Sequence, residues 1–156
     1  MSINSEVESL RSIPMFKGIE PAKLRLLAFI SERMTFRPGE VLCKQGEPGD
    51  SAYIILSGMA DVLVDTGGGQ QRKVAEIKQN DVVGEIAILC DTPRTATVSA
   101  SSDLIALNIS KDNFFKLLKE FPDVSLEVMR VLARRLERTT RDLADVRGKL
   151  ADSGAA

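Results

Sequence analysis

The sequence predicts a mixed α+β fold, an antiparallel barrel or jelly roll of short strands with helices before and after it. Three observations lead there. Between Val41 and Ile109, short apolar runs alternate at close spacing with clusters of Gly, Pro, Asn and Asp, the pattern of an antiparallel β architecture. The flanking stretches space their apolar residues at three and four, as helices do. The chain has 156 residues, 44% hydrophobic and 28% charged, the make-up of one soluble globular domain rather than a disordered or membrane-embedded chain.

In the first helix Ser5 and Glu8 stand at capping-box spacing, and Pro14 breaks it. Pro21, tolerated in a first turn, opens a second helix reaching about Ser31, with Leu24, Leu27, Ala28 and Phe29 on its apolar face. From Met34 the period changes. The turn clusters RPGE and GEPGD bracket a strand in VLCKQ, and SAYIILSG forms the next. MADVLVD and QRKVAEI flank TGGG as a hairpin with a flexible tip. VVGEIAIL starts as a strand and passes, after Gly84 and Glu85, into one short helical turn. RTATVSA and LIALNI complete the strands. Ser110 caps the following helix, Asp112 lies in its first turn, and Pro122 ends it near Phe121. Asp123 caps the last helix. There Val128, Leu132, Leu136, Thr139, Leu143, Val146 and Leu150 form a seam suited to packing along another helix. The expected organisation is an N-terminal helical segment (1–33), the barrel (34–110), C-terminal helices (111–150) and a disordered tail (151–156).

Composition excludes several functions. With 21 Lys+Arg against 22 Asp+Glu the net charge is -1, which lacks the basic excess that drives nonspecific nucleic-acid binding. No histidine is present, so Ser-His and Cys-His nucleophiles and histidine-bearing metal sites are excluded. Cys43 and Cys90 are too few for a disulfide scaffold, a four-thiolate zinc site or an iron-sulfur cluster. No secretory signal follows Met1 and no apolar run would span a bilayer, so the expected compartment is the cytoplasm.

One residue stands out in RTATVSA. Strand alternation places Arg94 with Ala96, Val98 and Ala100 on an inward face, opposite Thr95, Thr97 and Ser99. A buried guanidinium needs an anion, because leaving it unpaired costs several kcal/mol, of order 3–5. Glu85 could supply one in a structural ion pair. Alternatively an external phosphate could, since amides at the start of the helix after Gly84 would point at the same space and glycine permits close approach. Arginine, amides and a carboxylate suited to ribose together make a sugar-phosphate site, and both readings stay open at this level.

The run GEIAILCDTPRTATV, residues 84–98, resembles the phosphate-binding cassette of the cyclic nucleotide-binding domain family, of the catabolite activator and protein kinase A regulatory subunit type. The likeness extends upstream through FRPGEVLCKQGEPGDSAYIILSGMADV and covers roughly residues 15–146. It implies an eight-stranded jelly-roll β-barrel flanked by N-terminal helices and two C-terminal helices. It also implies that Glu85 accepts hydrogen bonds from a ribose 2′-hydroxyl and that Arg94 pairs with the exocyclic oxygens of a cyclic phosphate. Gly84 and the amides of Ile86, Ala87 and Thr95 would complete the cradle, and Val62 and Ala75 would pack the base. The terminal stretch LARRLERTTRD resembles a dimer helix of the same family, which implies that Thr139 meets the base of its own subunit and Thr140 that of its partner. The ligand implied is cAMP, with cGMP second, and no cofactor is expected. Because the sequence stops six residues after Leu150, no helix-turn-helix DNA-binding domain is expected.

From Arg130 to Lys149 the last helix carries seven basic residues against three acidic ones. Arg134 or Arg135 could serve as a lid stacking on a purine, against the plainer reading of a solvated face. Two other functions compete. Jelly rolls host metal-dependent oxygenases and isomerases, but histidine is missing and no nucleophile stands beside a base, so no enzyme is expected. A module that only dimerises through its terminal helix has no need for a matched Glu85 and Arg94. The output expected is movement of helices toward an unknown effector.

Overall fold

A computed structural model describes residues 3–13 and 16–154. Helices α1 (Ile3–Arg11) and α2 (Pro21–Ile30) precede strands β1 (Glu32–Phe36), β2 (Val41–Cys43), β3 (Ser51–Ser57), β4 (Ala60–Asp65), β5 (Gln71–Ile77) and β6 (Val82–Val83). Helix α3 (Glu85–Cys90) stands before β7 (Thr97–Ala100) and β8 (Leu104–Ser110), and α4 (Lys111–Glu120) and α5 (Pro122–Asp152) follow. Residues up to Glu120 form one compact unit, and the segment from Phe121 on, essentially α5, forms a second. The single compact domain expected from chain length therefore divides where Pro122 starts a long helix.

The strands pair antiparallel in two four-stranded sheets, ordered β1-β8-β3-β6 and β2-β7-β4-β5. Their inner faces share one core. Phe36, Tyr53, Ile55, Leu104 and Ala106 come from the first sheet, and Leu42, Ala60, Ile77, Val98 and Ala100 from the second. The Tyr53 hydroxyl donates to the Leu42 carbonyl at 3.0 Å, joining the sheets, and its ring meets Phe36 edge-on. Period-2 alternation puts Ala52, Ile54, Leu107 and Ile109 on the other face of β3 and β8, buried as well. Helix α4 packs on these two strands, which is why their sequences read as nearly continuous apolar runs rather than alternating ones.

Several local expectations are corrected. Ser5 lies inside α1 and does not cap it; the expected break at Pro14 lies outside the described residues. Phe29 is 75% exposed, because it follows Leu24 by five positions, about 140° around the helix, and so leaves the stripe of Leu24, Leu27 and Ala28. The first strand begins at Glu32, two residues before the expected change of period. The strand in RTATVSA begins only at Thr97: Pro93 forms an isolated bridge with Pro48, and residues 95–96 bend. Asp123 does not cap α5, whose cap is Phe121. With Pro122 taking the first helical position, Asp123 falls in the first turn, where its charge suits the helix dipole. Helix α5 runs to Asp152, into the stretch expected to be disordered. Ser110 does cap α4, its Oγ accepting from the Asn113 amide at 3.2 Å.

Candidate functional site

Leaving β6 at Val83, the chain turns at Gly84 with φ 90° and ψ 0° and enters α3. Glycine adopts that left-handed conformation without a Cβ penalty. Here it is required a second time, since a Cβ would stand 2.4 Å from Nη1 of Arg94 and 3.0 Å from the Ser51 carbonyl oxygen. Arg94 Nη1 donates to the Gly84 carbonyl at 3.1 Å, and Nη2 donates to that of Ser51 at 2.8 Å. The Arg94 backbone is fixed as well, its amide donating to Glu47 at 2.8 Å and its carbonyl accepting from Gly46 at 2.9 Å. On the other side of this clasp a Cβ on Gly49 would lie 2.3 Å from that of Ala87, so the loop before β3 closes directly onto α3. The inward setting of Arg94 comes from this loop clasp, and not from the strand alternation that predicted it.

Glu85 is 2% exposed and Arg94 6%. Two neutral carbonyls orient a guanidinium without neutralising it, so the site concentrates unlike charges in a poorly hydrated place. Both charges reach Cys43 in β2. Burial pushes that thiol above its ordinary value of 9.0, with Arg94 pulling it down and Glu85 pushing it up. Burial likewise raises the Tyr53 phenol, against hydrogen bonding to Ser51 and Asn108.

The cassette brings Gly84, Glu85, Ile86, Ala87, Arg94 and Thr95 together. Ile86 is 42% exposed, Ala87 is buried, and Thr95 is exposed in the bend after Arg94. The first amides of a helix have no carbonyl within it to bond, which applies to Ile86 and Ala87. Val62 sits opposite Ala75 in the β4–β5 ladder and opposite Val98 in the β4–β7 ladder; it packs on the core, whereas Ala75 is exposed. Arg134, Arg135, Thr139 and Thr140 lie on α5, in the second unit. Arg135 is half-buried and the other three are exposed.

Two residues at the site escaped sequence reasoning. Ser51 contributes a backbone carbonyl, which no side-chain pattern announces. Asn108 donates from Nδ2 to Ser51 Oγ at 3.2 Å, and the signal for it was available: it is the polar member of the inward series Leu104, Ala106, Asn108 in β8. Among the described residues no cluster of potential metal ligands occurs, and no helix is long and apolar enough to cross a membrane.

Residues 33–121, more than half of the chain, match the cyclic nucleotide-binding domain. The chain is 31% identical over 139 residues to a CRP-like cAMP-activated global transcriptional regulator of Mycobacterium tuberculosis, covering 89% of this chain and 62% of the relative. A cAMP-dependent protein kinase regulatory subunit of Emericella nidulans is 31% identical over 109 residues, 70% of this chain and 26% of that one. Among solved structures, a cAMP-binding acyltransferase from Mycobacterium smegmatis superposes with a TM-score of 0.76 at 29% identity, over 87% of this chain and 42% of the other. The chain thus spans less than two thirds of the length of these relatives. With the two-sheet fold and the cassette turn, these matches establish that the chain belongs to the cyclic nucleotide-binding domain family, of the catabolite activator and protein kinase A regulatory subunit type.

Proposed function

We propose that this chain is a non-enzymatic sensor domain that binds a cyclic nucleotide, cAMP in preference to cGMP, and signals through its helices. The observation that carries the reading is the pair of buried unlike charges, Glu85 at the start of α3 and Arg94 in the loop after it. A guanidinium has five N–H groups, and with two directed to carbonyls Arg94 keeps donors for a phosphate. Glu85 then accepts from the ribose 2′-hydroxyl. The amides of Ile86, Ala87 and Thr95 surround the phosphate, and the Val62–Ala75 pair supports the base. Preference for cAMP is supported by the relatives, a cAMP-activated regulator and a cAMP-dependent kinase subunit.

In this account α5 is the output. Arg134 or Arg135 covers the base as a lid, Thr139 contacts the base of its own subunit, and Thr140 that of a partner in a homodimer. Ligand shifts the helices only by its extra affinity for the closed arrangement. The domain works in the cytoplasm on an effector still to be found. A second reading, a dimerisation module that binds no nucleotide, is favoured by one observation: Leu136, Leu143, Val146 and Leu150 are 49–68% exposed along α5.

Competition against a fluorescent cyclic nucleotide, using protein stripped by unfolding and refolding, separates the two. Displacement by cAMP at lower concentration than by cGMP, and none by adenosine 5′-monophosphate, is expected. Failure of the fluorescent ligand to bind, with a dimeric mass in native mass spectrometry, would leave the dimerisation reading.

A further inference from the structure

We propose that Asn108 is a positioning residue of this site, acting on Arg94 through Ser51; the inference rests on the reading of Arg94 as the phosphate-binding group. The contact of Arg94 with the Ser51 carbonyl, 2.8 Å, is shorter than its contact with Gly84, 3.1 Å, so the setting of the guanidinium depends on where Ser51 stands. Ser51 is the first residue of β3 and ends its ladder. It pairs with Ser110 of β8, while β6 on the other side of β3 reaches only Tyr53 and Ile54. On the β8 side the backbone is held past Ser51, the Asp50 carbonyl accepting from the Lys111 amide at 2.8 Å, but on the β6 side no strand pairs with Ser51, so its carbonyl reaches Arg94 from a residue fixed by β8 alone.

Asn108 adds a side-chain restraint from β8. It lies in the middle of β8, opposite Glu32 of β1 and opposite Tyr53 of β3, held between two strands. From that fixed place its Nδ2 donates to Ser51 Oγ at 3.2 Å. Tyr53, opposite Asn108 in the same ladder, lies two residues along β3 from Ser51. Tyr53 in turn donates to the Leu42 carbonyl of the second sheet. The start of β3 is thereby tied to the centre of one sheet by Asn108 and, through Tyr53, to the edge of the other. An amide on the inward side of a β-strand is costly unless bonded, and this one directs an N–H of Nδ2 to the residue that anchors Arg94.

The test uses two readouts on Asn108→Ala. The first is hydrogen exchange of the Arg94 guanidinium in ligand-free protein, followed by NMR and assigned by its absence in Arg94→Lys. The second is cAMP affinity by calorimetry. Faster guanidinium exchange together with an affinity about 3- to 10-fold weaker, the loss of one hydrogen bond, is expected. A guanidinium that exchanges as in the wild type overturns the proposal, whatever happens to affinity or melting temperature. Should wild-type protein bind no cyclic nucleotide while Asn108→Ala still loosens the guanidinium, the coupling stands and the phosphate reading falls. Ser51→Ala, which removes Oγ and keeps the carbonyl, gives the same readouts if Asn108→Ala does not fold.

Discussion

Nη1 of Arg94 donates to the Gly84 carbonyl at 3.1 Å, and a Cβ on Gly84 would stand 2.4 Å from that same nitrogen. The glycine serves both the turn and the arginine, and the two contributions separate experimentally. Gly18 has nearly the same φ, +91° against +90°, but nothing within 4 Å of its would-be Cβ. Gly18→Ala and Gly84→Ala should therefore each lose stability from backbone strain, about 1 kcal/mol or somewhat more. Only Gly84→Ala should also lose cAMP affinity. Equal affinities in the two variants, measured calorimetrically, would show that the guanidinium does not set the site.

Glu85 makes a prediction about the sugar. Glu85→Gln should weaken cAMP by about 1 to 3 kcal/mol, the range for a hydrogen bond to a charged group, and should barely alter binding of 2′-deoxy-cAMP. Similar losses for both ligands would remove the carboxylate from the ribose.

Ser110 pairs with Ser51 through its backbone, whereas its side chain serves the cap of α4 alone. Ser110→Ala, which deletes the bond from the Asn113 amide, should cost about 1 kcal/mol in a urea melt and leave cAMP affinity unchanged.

Alkaline pH tests the burial of the inner polar groups. The Cys43 thiol and Tyr53 phenol are both raised, chiefly by burial, above ordinary values of 9.0 and 10.0. The folded state thus holds on to protons that the unfolded state releases. Their contribution to stability is complete below pH 9 and is lost as pH rises through the raised folded-state values. Melting temperature should fall above pH 9, and Cys43→Ser should recover part of that fall. A flat profile from pH 8 to 11 would contradict the burial of both groups.

How much of this was legible depended on which atoms carry the information. Side-chain periodicity announced the strands and the helix of Leu24, Leu27 and Ala28, the inward Arg94 announced a site in need of an anion, and the resemblance of the run 84–98 to a known family announced the cassette. What failed were boundaries decided by backbone events. Pro93 bridges Pro48 and delays β7 to Thr97, while Pro122 moves the start of α5 ahead of Asp123. Arg94 was placed inward by an argument from a strand it does not belong to, and a loop clasp at Gly46 and Glu47 puts it there instead. Ser51 was invisible because its carbonyl acts, whereas Asn108 could have been found as an amide in an apolar alternation.

The most direct test of the central claim is a calorimetric titration of cAMP into nucleotide-stripped protein with Arg94→Ala alongside. The account predicts a one-to-one isotherm at about -8 kcal/mol or tighter for the wild type, weakened by about 2 to 5 kcal/mol in the folded variant. Undiminished affinity in Arg94→Ala would contradict the phosphate assignment.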